Sequence, residues 1–145
     1  LEELNFPICK NGDITWGTSA ILNANTTLIT VNNEMDMSCG YAFATIFPAT
    51  NQTSLKGTIT FKSLRATLNF SGRPLITGIR LTNVQENMQN LTINNCGLSA
   101  TALNTLFGDL PTITNSSVLS IIGNPGVVGC DTSIATKKGW TVVTV

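Results

Sequence analysis

The chain has 145 residues, enough for one domain with a substantial core. Eight basic residues balance eight acidic ones, charged residues make up only 11%, and there is no histidine. That balance leaves no basic footprint for nucleic acid and no anchor for an anionic membrane surface, and the missing histidine excludes Ser-His-Asp and Cys-His catalysis.

Charged residues make up about a quarter of ordinary soluble proteins, so the polarity here must come from elsewhere, chiefly from Asn and Thr. Such a profile suits extracellular β-rich or fibrous proteins more than a cytosolic enzyme. No apolar run approaches the roughly 18 residues that cross a bilayer, so no membrane insertion by this segment is expected. The sequence opens without a basic-then-apolar leader or an initiating Met. It therefore reads as a processed product or a piece of a longer protein.

In chain order, the spacing predicts a strand near 3–6, inside Leu1-x-x-Leu4-x-Phe6-x-x-Cys9. "CKNGDITWG" follows, and Asn11-Gly12-Asp13 reads as a turn, since the loop lacks the spaced carboxylates that Ca²⁺ collects. A strand is expected near 28–32 and then a polar turn, "NNEMDMS". Glu34 and Asp36 could share a face there, whereas the neighbours Glu2 and Glu3 diverge, so paired-carboxylate glycoside chemistry is poorly supplied. A helix near 41–46 and strands near 57–62 and 78–82 come next. Between those strands, "LNFSGRPLITGIRLTN" fits either a helix-free coil or an inserted hairpin turning at Ser71-Gly72-Arg73-Pro74.

The second half reads more sharply. A strand near 90–94 leads into a helix near 99–109, capped by Ser99 and ended before Pro111. A strand near 118–122 runs into "GNPG", a turn rather than a phosphate cradle because no basic residue follows it. A helix near 131–138 has Asp131 as its cap, Lys137 and Lys138 in its last turn, and Gly139 at its end. The last strand is expected near 140–145, where Trp140 would seal the apolar end; Trp16 and Trp140 are also the two candidate carbohydrate platforms.

The four cysteines, Cys9, Cys39, Cys96 and Cys130, form no C-x-x-C pair. With no histidine to help, a zinc site would need all four thiolates gathered from afar, and no metal or cofactor is expected. Two disulfides are permitted, Cys96 with Cys130 among the pairings, and so are four small buried residues.

A repeat underlies these elements. Met88-x-x-Leu91-x-Ile93-x-x-Cys96-x-Leu98 matches the leucine-rich-repeat template L-x-x-L-x-L-x-x-N/C-x-L position for position. The stretch from Leu1 to Cys9 matches again, and Leu119-Ser120-Ile121 followed by Asn124 supplies a third copy, with Asn124 in the place of Cys96. In that position a buried Asn can bond backbone groups of a neighbouring coil, and one unit must stack on others to bury its apolar face. "YAFATIFPATNQTSLKGTITF" also lines up with "TALNTLFGDLPTITNSSVLSI". The expected fold is α/β, a short leucine-rich-repeat solenoid of stacked strand–helix/loop units, with one exposed sheet and residues 1–145 as a single domain.

"NNCGLSATALNTLFGDLPTI" followed by "IIGNPGVVGCDTSIATKKGWTVV" resembles the terminal repeats of leucine-rich-repeat surface proteins of gut Bacteroidetes and their phages, over roughly residues 88–145. The resemblance implies a non-catalytic role in adhesion or ligand binding, extracellular or at the cell surface. It equally covers domains of virion proteins, such as tail or head fibres, so the partners implied are a host glycan or protein, or neighbouring subunits of an assembly.

On the template, the side chains alternating with the buried positions line the exposed sheet. The row runs Glu3 and Asn5, then Leu28, Thr30 and Asn32, then Thr58, Thr60 and Lys62, then Arg80 and Thr82, then Asn90, Thr92 and Asn94, with Val118, Ser120 and Ile122 at the end; the candidate binding residues are Thr30, Asn32, Thr60, Lys62, Arg80, Thr82, Asn90, Thr92 and Asn94. Such a face can hydrogen-bond sugars or peptide, and Thr and Asn also simply solvate a sheet. The sequons, Asn90-Leu91-Thr92 among them, would matter only in a secretory eukaryotic host.

Overall fold

A computed structural model describes residues 29–31, 34–36, 55–62, 67–84, 86 and 88–145. The expected strand near 3–6, the helix near 41–46, Trp16, Cys9, Cys39 and the Asn11-Gly12-Asp13 turn lie outside the described residues. The architecture is mixed α/β with two parallel sheets.

The first sheet is built on β3 (Leu55–Lys62). Strands β1 (Ile29–Val31) and β2 (Glu34–Asp36) pair its two ends, and β5 (Ile76–Thr82) pairs its opposite edge. The second sheet runs β4 (Leu68–Asn69), β6 (Asn90–Thr92), β7 (Ser117–Ser120), β8 (Trp140–Val143), each parallel to the next. Helix α1 (Ala100–Asp109) and the single turn α2 (Ser133–Thr136) complete it, with a 3-10 turn at Val127–Gly129.

The chain crosses between the sheets as it advances: β4 is in the second, β5 in the first, β6 in the second again. This settles the segment around Ser71-Gly72-Arg73-Pro74. No hairpin forms there, because β4 and β5 flank the bend and pair with different partners; the helix-free coil is the arrangement found. The bend is fixed from within. Arg73 is buried, its Nη1 donates to Ser71 O at 2.6 Å, and its guanidinium lies 4.3 Å above the Phe70 ring. Phe70 in turn meets Phe61 of the other sheet edge to face, centroids 5.4 Å apart, so one aromatic pair joins the two sheets.

Period-two alternation explains the strands. In the second sheet Leu68 pairs with Leu91, Leu91 with Leu119 and Leu119 with Val142. Phe70, Ile93 and Ile121 follow two residues later, all fully buried. Their N–H groups prolong the ladder, donating to Thr92 O, Ser120 O and Val143 O respectively. Burying apolar side chains of this size contributes about 1.5–3 kcal/mol each, which is where the stability of such short strands must come from.

Helix α1 begins where Ser99 Oγ accepts from Ala102 N at 3.2 Å, and it buries Leu103, Leu106 and Phe107. Gly126 is required beside this N-terminus, since a Cβ there would lie 2.1 Å from Ala100 N. The last helix is shorter than the expected 131–138, and its cap residue is Thr132; Asp131 Oδ1 instead accepts from Ser133 N at 3.0 Å. Lys138 does not serve its own helix. Its Nζ donates to Phe107, Gly108 and Leu110 carbonyls, satisfying the C-terminus of α1 from a position beyond α2.

One further expectation is corrected, and of the two readings left open for the cysteines the disulfide is not the one found. Glu34–Asp36 is strand β2 rather than a polar turn, in register Glu34 with Thr60 and Asp36 with Lys62. Cys96 and Cys130 form no disulfide. Cys96 is buried, and its Sγ donates to Phe70 O at 3.3 Å; burial pushes the thiol pKa up and keeps it a donor at neutral pH.

The position five residues after the strand leucine is the buried link between neighbouring strands. Asn124 Nδ2 donates to Ile93 O and Ile121 O, both at 2.8 Å, and its Oδ1 accepts from Leu98 N at 3.3 Å. Asn124→Ala leaves Ile93 O and Leu98 N without this partner in the core, while Ile121 O keeps the backbone N–H of residue 124 at 3.4 Å, and urea unfolding should show a loss of about 2–4 kcal/mol, against a smaller loss for Asn124→Cys. Alkylation of the native protein followed by peptide mass spectrometry should label half-buried Cys130 well before Cys96.

Candidate functional site

The residues expected on one face are divided between the two sheets. Thr30, Thr60, Lys62, Arg80 and Thr82 belong to the first, on β1, β3 and β5. Asn90 and Thr92 lie on β6 of the second, with Asn94 just beyond it, and Asn32 lies outside the described residues. The cause is strand pairing: β5 takes β3 as its partner and β6 takes β4, so Arg80 and Thr92 cannot share a surface.

In the first sheet, Thr60 is in register with Arg80, and Lys62 with Thr82. Arg80 is committed to the fold. Its Nε and Nη2 grip the Asp109 carboxylate at 2.6 and 3.1 Å, and the hydrogen bonds and charge of Asp109 raise the guanidinium pKa further. Asp109 Oδ2 also accepts from Leu81 N at 3.1 Å. The last residue of α1 thus caps a backbone donor on β5, the strand beside it.

The second sheet offers the more coherent surface. With Leu91, Ile93, Leu119 and Ile121 buried inward, the alternate residues face the other way. They form cross-strand rows: Asn90 with Val118 and Thr141, and Asn69 with Thr92, Ser120 and Val143. No Asp, Glu, Lys or Arg stands in either row. Sequence reasoning missed Asn69, Thr141 and Val143. The signal was present, for Leu68-Asn69-Phe70 repeats the pattern of Leu91-Thr92-Ile93 and Leu119-Ser120-Ile121.

Backbone donors orient the asparagine amides here. Asn90 Oδ1 accepts from Val118 N at 3.1 Å, a donor shared with Gln89 O at 3.2 Å. Asn94 Oδ1 accepts from Ile122 N at 2.9 Å and from Ser120 Oγ at 2.8 Å. Because an N–H only donates, the oxygen of each amide is assigned and the Nδ2 remains. The surface can therefore donate hydrogen bonds and make aliphatic contact, but it carries no general acid or base. Among the described residues no group of three or more His, Cys, Asp or Glu could hold a metal, and no helix is long and apolar enough to cross a membrane. Trp140 is no carbohydrate platform: it is 2% exposed, and its Nε1 donates to Pro111 O at 2.9 Å.

Comparison with protein-family models, curated proteins and solved structures finds no match to this chain.

Replacing Arg80 and Asp109 separately should distinguish a surface ion pair from a strand cap. Arg80→Ala should cost less than about 1 kcal/mol in urea unfolding. Asp109→Ala, which also abandons Leu81 N, should cost about 1–3 kcal/mol.

Proposed function

We propose that this chain is a non-catalytic recognition domain of leucine-rich-repeat solenoid type, part of a surface-exposed protein that engages a glycan or protein through the second sheet. The observation that carries the reading is the uncharged, hydrogen-bond-ordered outer face of β4, β6, β7 and β8. A face with no titratable group suits adhesion rather than catalysis.

The repeat assignment is supported by the register. Leu68, Leu91 and Leu119 are mutually paired, and Cys96 and Asn124 stand at the same template position. Each bonds the matching carbonyl of the preceding strand, Phe70 O for Cys96 and Ile93 O for Asn124. A second parallel sheet, on β3 and β5, is an addition to the single-sheet template.

Light scattering on the isolated chain tests the reading. The expected result is a mass near the 15.4 kDa of one chain, with the sheet face open to ligand. A stable trimer would overturn it and favour a fibre or other virion component that assembles through this domain.

A further inference from the structure

We infer that the second sheet binds a neutral polysaccharide, held by the amide groups of Asn90 and Asn94 against the aliphatic side chains of Val118 and Ile122, which flank Ser120. This rests on the reading of that sheet as a recognition surface and names its ligand class.

The donor inventory comes first. Asn90 and Asn94 each spend their oxygen on backbone N–H groups of β7 and the residues after it, Val118 N and Ile122 N. Neither Nδ2 donates to any described residue, so Asn90 at the start of β6 and Asn94 two residues past its end each offer two N–H donors with the amide plane already held. Ser120 Oγ is also committed as a donor, to Asn94 Oδ1, which leaves its lone pairs to accept. The polar half of the face is thus rich in pre-positioned donors, with Thr92 between the asparagines as a hydroxyl of either sense. Holding these groups in advance reduces the ordering cost of binding.

The apolar half lies directly alongside. Val118 is in register with Asn90, and Ile122 lies beside Asn94, whose amide bonds its N–H. Val118 is 37% exposed, so part of its side chain is open to contact beside the Asn90 amide. A pyranose has this same division, with oxygen acceptors around its edge and C–H groups on its face. Charge selects among sugars. The rows carry no cation to pair a uronate or sulfate, so an acidic chain would lose hydration of its anion without a charged partner.

The test titrates the ¹⁵N-labelled 145-residue chain with cellohexaose, laminarihexaose and mannohexaose, and in parallel with a galacturonate hexasaccharide. Side-chain amide signals of Asn90 and Asn94 report the site. At least one neutral hexasaccharide should shift both signals with a Kd below about 1 mM, and more tightly than the acidic one. Asn90→Asp and Asn94→Asp keep the internal acceptor and delete the donors, so each should weaken binding about tenfold while backbone signals stay in place. Should Asn94→Asp perturb the fold, Asn90→Asp carries the test, since Val118 N retains Gln89 O as acceptor.

Silent asparagine signals with all three neutral sugars, shifts confined elsewhere, tighter binding of the acidic sugar, or undiminished binding by the Asp variants would each overturn the inference. A monomer with silent signals sinks the glycan alone. A trimer that buries Asn90 and Asn94 sinks the recognition surface as well.

Discussion

Ile93 O and Ile121 O, on neighbouring strands' ends, are both bonded by one buried amide, Asn124 Nδ2, whose own oxygen takes Leu98 N. A parallel strand of three or four residues ends before its backbone groups are all paired, and burial removes water as an alternative. The turn that follows each strand must therefore supply a side chain that reaches back. Asn124 meets that condition for β7, and Cys96 meets it for β6 with a single thiol donor to Phe70 O. Once it is met, the leucines of successive strands fall into register and the apolar positions close over one another. The core is a consequence of where the turns are satisfied.

The helices obey the same need from the other side. Helix α1 stands beside β5 and hands it the Asp109 carboxylate for Leu81 N. The end of α1 is capped in turn by Lys138, which lies just after α2. In both cases a backbone group of one element finds its partner on a later element of the chain. Backbone satisfaction in this protein is a relation between neighbours and not within an element. A local reading of Lys138 as a cap for its own helix fails for that reason.

Legibility in the sequence follows the same line. The strand–turn pattern from Met88 to Leu98, the Ser99 cap and the equivalence of Cys96 with Asn124 were all readable, because each depends on spacing within one unit. The partition into two sheets was not. Residues 76–82 and 90–92 have similar alternation, and nothing local says that one pairs with β3 and the other with β4. Strand β4 is only two residues long, too short to announce itself by period, though Leu68-Asn69-Phe70 repeats its neighbours. Of the residues first aligned along one face, Asn90, Thr92 and Asn94 remain together, while Arg80 is drawn into the edge of the other sheet by an aspartate 29 residues on.

Those same residues show why a surface of weak side chains can still discriminate. A mobile amide offers its donor and acceptor in either sense and gains little from any one ligand. At Asn90 and Asn94 the backbone of the adjoining strand has removed that choice, since an N–H will accept nothing and takes the oxygen. The parallel register that buries Leu91 against Leu119 is the register that brings Val118 N to Asn90. Surface chemistry and core packing are consequently one decision. A one-residue slip of β7 would bury the face and expose the core, so the donors stay oriented for as long as the sheet stays folded.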